Sequence, residues 1–136
     1  MGRSVLGIIL GYGAVRALAV MANAVVFHGG APEGPPELAL QMVLLGMNGL
    51  AAIVGGYVAA AVGRRSPLAH GVALGVILVA VAVVMSLSGL TNSGASSEPR
   101  WFSLSVMGVS MLGATMGGLA RSQMVERVSG EASQGD

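Results

Sequence analysis

Few side chains in this sequence have chemistry to offer, and the most unusual is an arginine inside an apolar run. Arg16 lies within SVLGIILGYGAVRALAVMANAVVF (4–27), with Tyr12 four residues before it and Asn23 seven after. Those spacings put the three on one face of a helix. Counting about 1.5 Å per residue from residue 4, Arg16 stands roughly 18 Å into the run, near the middle of a bilayer. An arginine there costs about 2.5–3.5 kcal/mol on insertion scales, so it must face protein or water. Asn48, in a second apolar run, reaches a similar depth by the same count. An Arg16–Asn48 contact is therefore expected, with the amide carbonyl accepting from the guanidinium. Arg16, Asn48, Tyr12 and Asn23 are the candidate substrate or ion contacts. The plainer expectation is a structural Arg16 that snorkels or bonds to backbone carbonyls.

The remaining polar residues say less. Arg64, Arg65 and His70 fall at one end of the apolar runs and read as lipid or topology contacts at the inner interface. His70 has no Cys, Asp or Glu near it in sequence, and His28 lies at the opposite depth, so no metal site is expected. The nine methionines bring a Cu(I) thioether site to mind, but ordinary apolar filling explains them without it. Cysteine is absent. Every Asp and Glu is expected in a loop or tail, which removes paired-carboxylate catalysis and the usual proton-relay carboxylate. With no catalytic residues and no cofactor motif, a non-enzyme is expected.

These residues must be positioned by apolar elements. The chain has 136 residues, enough for one domain, with 54% hydrophobic and only 10% charged. A soluble domain carries about 25% charged residues to keep its surface wet. A mean hydropathy of +0.77 agrees with lipid as the solvent. Four runs, about 4–27, 38–62, 67–90 and 101–120, approach the roughly 20 residues that cross a hydrocarbon core. They are too long and too evenly apolar for barrel strands. The fold expected is an all-α, four-helix transmembrane bundle running up-down-up-down over residues 1–128, followed by a disordered tail at 129–136. HGGAPEGPPE (28–37), GRRSP (63–67) and TNSGASSEPR (91–100) read as connections, with Pro67 suited to open the third helix.

Loop charge predicts the orientation. Arg3, Arg64, Arg65, Arg121 and Arg127 gather at one end, and Arg100 stands at the other beside Glu33, Glu37 and Glu98. The positive-inside rule then puts both termini in the cytoplasm. Phe27, Trp101 and Phe102 fall at the outer interface, where aromatic rings are favoured. The start of the chain also has features of a signal peptide, with Ala22-Asn23-Ala24 as a cleavage site, but Arg16 interrupts its hydrophobic region. Abundant Ala, Gly, Val and Arg with no Lys points to a GC-rich bacterial source, hence a bacterial cytoplasmic (inner) membrane. The bilayer is the expected partner, and without a strongly basic patch nucleic acid is not.

Small residues recur four apart on every run. Ala51-Gly55-Ala59-Gly63 and Ala52-Gly56-Ala60 mark the second, Gly113-Gly117 and Ala114-Gly118 the fourth, Gly7-Gly11 the first and Gly71-Gly75 the third. Such rows let helix backbones approach closely. Gly55, Gly56, Gly117 and Gly118 are therefore packing residues, either within one chain or between copies in a homo-oligomer. Gly46, Leu50, Ala52, Gly55 and Gly56 also align with Gly108, Leu112, Ala114, Gly117 and Gly118 at a spacing of 62 residues. A duplicated two-helix hairpin would leave that pattern.

The segment GGYVAAAVGRRSPLAHGVALGV (55–76) resembles one in small four-helix bacterial membrane proteins of unknown function, which implies the topology and no activity. GYGAVR (11–16) resembles the Gly-rich, Arg-containing first helix of dimeric fluoride channels, and Asn48 stands where they carry a second-helix Asn. The third run, VALGVILVAVAVVMS, departs from that family by lacking the Phe and Thr residues of its ion path. The first function expected is an accessory or assembly role, with the chain packing against itself or another membrane protein. The alternative is a small anion or solute transporter or channel, acting as an oligomer with Arg16 and Asn48 on a polar path.

Overall fold

The computed structural model describes residues 2–26, 28, 37–63, 66–87 and 100–133; side chains are described for these except 2–3, 86–87, 100 and 128–133. Four helices account for nearly all of them: α1 (Gly2–Val26), α2 (Leu38–Gly63), α3 (Pro67–Leu87) and α4 (Arg100–Ser133). There is no strand among the described residues. All four helices are long and apolar enough to cross a membrane. The boundaries follow local chemistry. Glu37 precedes α2, and its carbonyl accepts the first helical bond from the Gln41 amide at 3.0 Å. Ser66 and Pro67 open α3 as cap and first residue, and the His70 amide donates to the Ser66 carbonyl at 3.2 Å.

The fourth helix is longer than expected. It continues to Ser133, past the end near 120 and through the first residues of the tail read as disordered, 129–136. Residues 121–127, RSQMVER, are mostly good helix formers, so the helix continues past the apolar span.

Contacts between small residues define how the helices run. Gly7 lies against Ala59 and Gly63, and Gly11 against Gly55, so α1 and α2 are antiparallel. Gly71 meets Gly118 and Gly75 meets Met111, so α3 and α4 are antiparallel as well. Gly113 meets Gly49 and Gly117 meets Ile53, which makes α2 and α4 parallel neighbours. The chain therefore runs up-down-up-down. Around the bundle the order is α1, α2, α4, α3, with α2 also touching α3 across the middle. Contact between α1 and α3 is slight, and α1 and α4 do not touch among the described residues.

Each small-residue row is used inside the bundle. On α2 the row through Gly55, Ala59 and Gly63 faces α1, and the row through Ala52 and Gly56 faces α4. On α4, Gly113 and Gly117 face α2, while Ala114 and Gly118 face Gly71 of α3. Ala51, Ala52, Ala59, Ala60 and Ala114 are at most 3% exposed, and Leu74 is the largest side chain to be fully buried. Bulk goes outward: Leu50 and Leu112 are 65% and 67% exposed. Lipid is as apolar as leucine, so a large side chain gains little by turning inward, whereas close backbones gain dispersion.

The 62-residue alignment also relates environments. Gly46 and Gly108 both face open space, Ala52 and Ala114 are both wholly buried, and Gly55, Gly56, Gly117 and Gly118 are all buried. The same spacing of 62 pairs Gly13 of α1 with Gly75 of α3, but these differ in environment, since Gly13 faces open space and Gly75 lies against Met111.

A substitution pair tests the packing. A Cβ on Gly117 would collide with the Ile53 carbonyl, whereas one on Gly46 would meet nothing. Gly117→Val should lower stability in detergent by about 1–3 kcal/mol or more. Gly46→Ala should be neutral, or stabilising by up to about 1 kcal/mol through helix propensity. Thermal melts followed by circular dichroism would separate the two; equal effects would contradict the α2–α4 seam.

Candidate functional site

The seams are tight toward the 63–67 turn, where glycines face glycines and alanines. Farther from the turn the facing residues are larger, and the helices leave a cavity of about 470 Å³. Its floor is shared with the core: Val15 belongs to both, and Tyr12 and Leu78 line the cavity while packing on the core cluster. Leu78, Val81, Ala82 and Met85 form one face of α3; Phe102, Ser103, Val106, Met107 and Ser110 form one face of α4. Each set follows helical spacing of three, four and seven. Leu44 and Asn48 supply the α2 wall.

The α1 wall consists of Tyr12, Val15, Arg16, Ala19 and Asn23. The four candidate contacts chosen from sequence, Arg16, Asn48, Tyr12 and Asn23, thus line one cavity. They do not bond as expected. Asn48 Nδ2 donates to the Leu44 carbonyl of its own helix at 2.9 Å, and Asn23 Nδ2 donates to the Ala19 carbonyl at 2.9 Å. Both amides are four residues from their acceptors, the local back-bond open to a short polar side chain on a helix. The expected Arg16–Asn48 bond does not form. Arg16 is an exposed residue of the cavity wall, and it has no hydrogen-bond or ion-pair partner among the described residues. No carboxylate lines the cavity among those residues either.

Elsewhere the expected positions divide. Arg64 and Arg65 lie outside the described residues, as does Phe27. His70, expected at the lipid interface, is instead 8% exposed. Its Nδ1 is 2.8 Å from the Ser66 carbonyl, and its ring lies against Gly63. The imidazole packs against the end of α2 because Gly63 has no side chain to block it. Phe102, expected at the interface with Trp101, is buried at 7% and makes an edge-on contact with Trp101 at 5.9 Å. Near the turn, the Arg121 guanidinium lies 5.9 Å from the Tyr57 ring centroid, a cation–π distance. Thr115 Oγ1 donates to its own helix at the Met111 carbonyl, 2.8 Å away, as expected for a membrane hydroxyl.

Ser103 and Ser110 were missed as site residues. Their spacing of seven on one face was a usable signal, but an apolar sequence does not reveal which face of α4 looks inward. Among the described residues no three His, Cys, Asp or Glu side chains gather to hold a metal.

These features make the chain a multipass α-helical membrane protein with a largely apolar cavity between its spans that carries a few polar side chains. Comparison with protein-family models, curated proteins and solved structures finds no match.

Because the sequence has no cysteine, single cysteines report cavity access cleanly. Ser103→Cys and Ser110→Cys should react with a charged, membrane-impermeant thiol reagent in detergent or vesicles. Ala114→Cys, at a position with no exposure, should not. Labelling of neither serine position would mean the cavity is closed to water.

Proposed function

We propose that this protein takes up a small anionic solute in the cavity between its four helices, with Arg16 as the charge contact, as a binding or transport protein and not an enzyme. One observation carries the reading: Arg16 stands on the wall of a cavity, near the middle of its span, with neither carboxylate nor hydrogen-bond partner among the described residues. Guanidinium groups recognise oxyanions through paired, charge-assisted bonds. Tyr12 adds a hydroxyl to the same wall, and Ser103 and Ser110 add two more from the α4 wall. The floor of Val15, Tyr12 and Leu78 favours a binding pocket, or a carrier that must rearrange, over a standing pore. Loop arginines support both termini and the 63–67 turn lying in the cytoplasm of a bacterial inner membrane, which turns the cavity toward the outer leaflet.

The accessory or assembly role keeps one specific support. Gly46 and Gly108 face open space on the parallel helices α2 and α4, with Leu50 and Leu112 exposed one turn on. That pattern of hollows and ridges suits a second copy or another membrane protein. The small-residue rows that first favoured this role are used within the bundle, so the cavity carries the stronger reading.

Trp101 is the only tryptophan, and it touches Phe102 on the cavity wall, so its emission should report occupancy. A panel of oxyanions (sulfate, phosphate, acetate and benzoate) should include at least one that shifts Trp101 emission and raises the melting temperature. Saturation at about a hundred times Kd should add about 2.7 kcal/mol. Arg16→Gln should weaken that anion by at least about tenfold, the value of a charged hydrogen bond. No response to any anion, by either readout, would end the reading.

A further inference from the structure

The composition and position of the cavity narrow the class of solute. Its volume of about 470 Å³ is in the range of sites for organic ligands, and far larger than an inorganic oxyanion requires. Three of its six polar side chains are on α1, at Tyr12, Arg16 and Asn23, and the others are Asn48 on α2 and Ser103 and Ser110 on α4. The α3 wall is apolar, built of Leu78, Val81, Ala82 and Met85, and α4 adds Phe102, Val106 and Met107. A free inorganic anion would leave that apolar surface unused. An amphiphile would cover both parts, its head against Arg16 and its chain along α3 and α4.

The helix layout supplies the entrance. Every other neighbouring pair around the bundle is joined by a small-residue seam, but α1 and α3 touch only slightly, with Gly11 against Leu74 at one point of contact. Beyond that contact, Arg16 and Ala19 of α1 and Val81 and Ala82 of α3 all line the cavity. Arg16 is exposed there, in the part of its helix that the apolar span places inside the bilayer. A guanidinium in that setting is costly unless it meets polar partners. From these observations we propose that the cavity receives a single-chain amphiphile with an oxyanion head, a carboxylate or a phosphate monoester, entering sideways from the bilayer between α1 and α3. The head binds Arg16 through charge-assisted hydrogen bonds, and the chain packs on Phe102, Met107 and Leu78. This proposal rests on the small-anion reading and specifies its ligand.

Native mass spectrometry of the full chain in uncharged detergent, with Trp101 emission as a second readout, tests it. The probes are oleate, oleoyl lysophosphatidate, oleyl alcohol and inorganic phosphate. Oleate or lysophosphatidate should bind one per chain, and the tighter of the two identifies the head as fatty-acid carboxylate or lipid phosphate. Oleyl alcohol should bind at least about tenfold more weakly, and phosphate in about a hundredfold excess should not displace the amphiphile. Arg16→Gln should cost at least about tenfold, Arg16→Lys distinctly less, and Ala82→Trp should block the site by filling it. Monodisperse elution and unchanged helical circular dichroism would show that each variant is folded. Equal binding of alcohol and acid would overturn the proposal, and so would oleate binding that survives both Arg16→Gln and Ala82→Trp. If phosphate binds and neither amphiphile does, this inference fails while the small-anion reading stands. If no probe binds the folded chain and the oxyanion panel is also silent, both fail.

Discussion

Close approach of backbones along α2 is the contact on which the rest of the bundle depends. A Cβ added to Gly11 would lie 2.7 Å from the Gly55 carbonyl oxygen, and one added to Gly113 would lie 2.8 Å from that of Gly49. There is no room for a side chain at either seam. In a soluble protein apolar bulk drives helices together, but in lipid that gain is largely lost and packing must supply the attraction. Glycine and alanine bring many backbone atoms into dispersion range, each pair worth only about 0.1–0.2 kcal/mol but numerous together. By presenting one small row to α1 and another to α4, α2 becomes the shared wall of the bundle. The cost is that any added methyl on a seam must push helices apart, since carbonyl groups cannot move aside as a flexible side chain would.

The cavity is the other consequence of that economy. Where glycines face one another, toward the 63–67 turn, the helices close. Where Leu44, Leu78, Val106 and Phe102 take their place, space remains between four walls. One sequence gradient, from small to large along each helix, yields both a solid end and a hollow end. The hollow end contains Tyr12, Arg16, Asn23, Asn48, Ser103 and Ser110, polar side chains that a sealed seam or a lipid-facing surface would tolerate less cheaply.

Much of this was legible in the residues, and the limit has a physical cause. Run length and low charge are enough to set four spans and their alternating direction. The spacing of Tyr12, Arg16 and Asn23 was enough to put them on one face, and depth counting matched Asn48 to Arg16. Partner choice was not legible. Asn48 and Asn23 bond to carbonyls four residues back, an option every helical asparagine has and one that no spacing between helices can exclude. His70 read as an interfacial residue from its depth alone; its burial depends on Gly63 of another helix leaving room for the ring. Ser103, Ser110 and Phe102 needed the inward face of α4, and helices that are apolar all round carry no stripe to mark it. The extension of α4 to Ser133 was hidden because hydropathy marks the end of a span, not the end of a helix.

Arg16 connects fold and ligand energetically. A guanidinium cannot shed its proton to escape a poor environment, unlike a lysine ammonium, so its charge must be met by its surroundings. Asn23 and Asn48 each donate from Nδ2 to their own backbones, and neither amide bonds the guanidinium among the described residues. The cavity wall therefore presents donors to whatever enters: five from the guanidinium, with hydroxyls from Tyr12, Ser103 and Ser110 alongside. A cation would add its own desolvation to an uncompensated positive charge. An anion removes the mismatch, and in a medium less polar than water the attraction is correspondingly stronger. On the proposed reading, the same feature that makes Arg16 expensive in the empty protein sets the sign of the charge the cavity would accept.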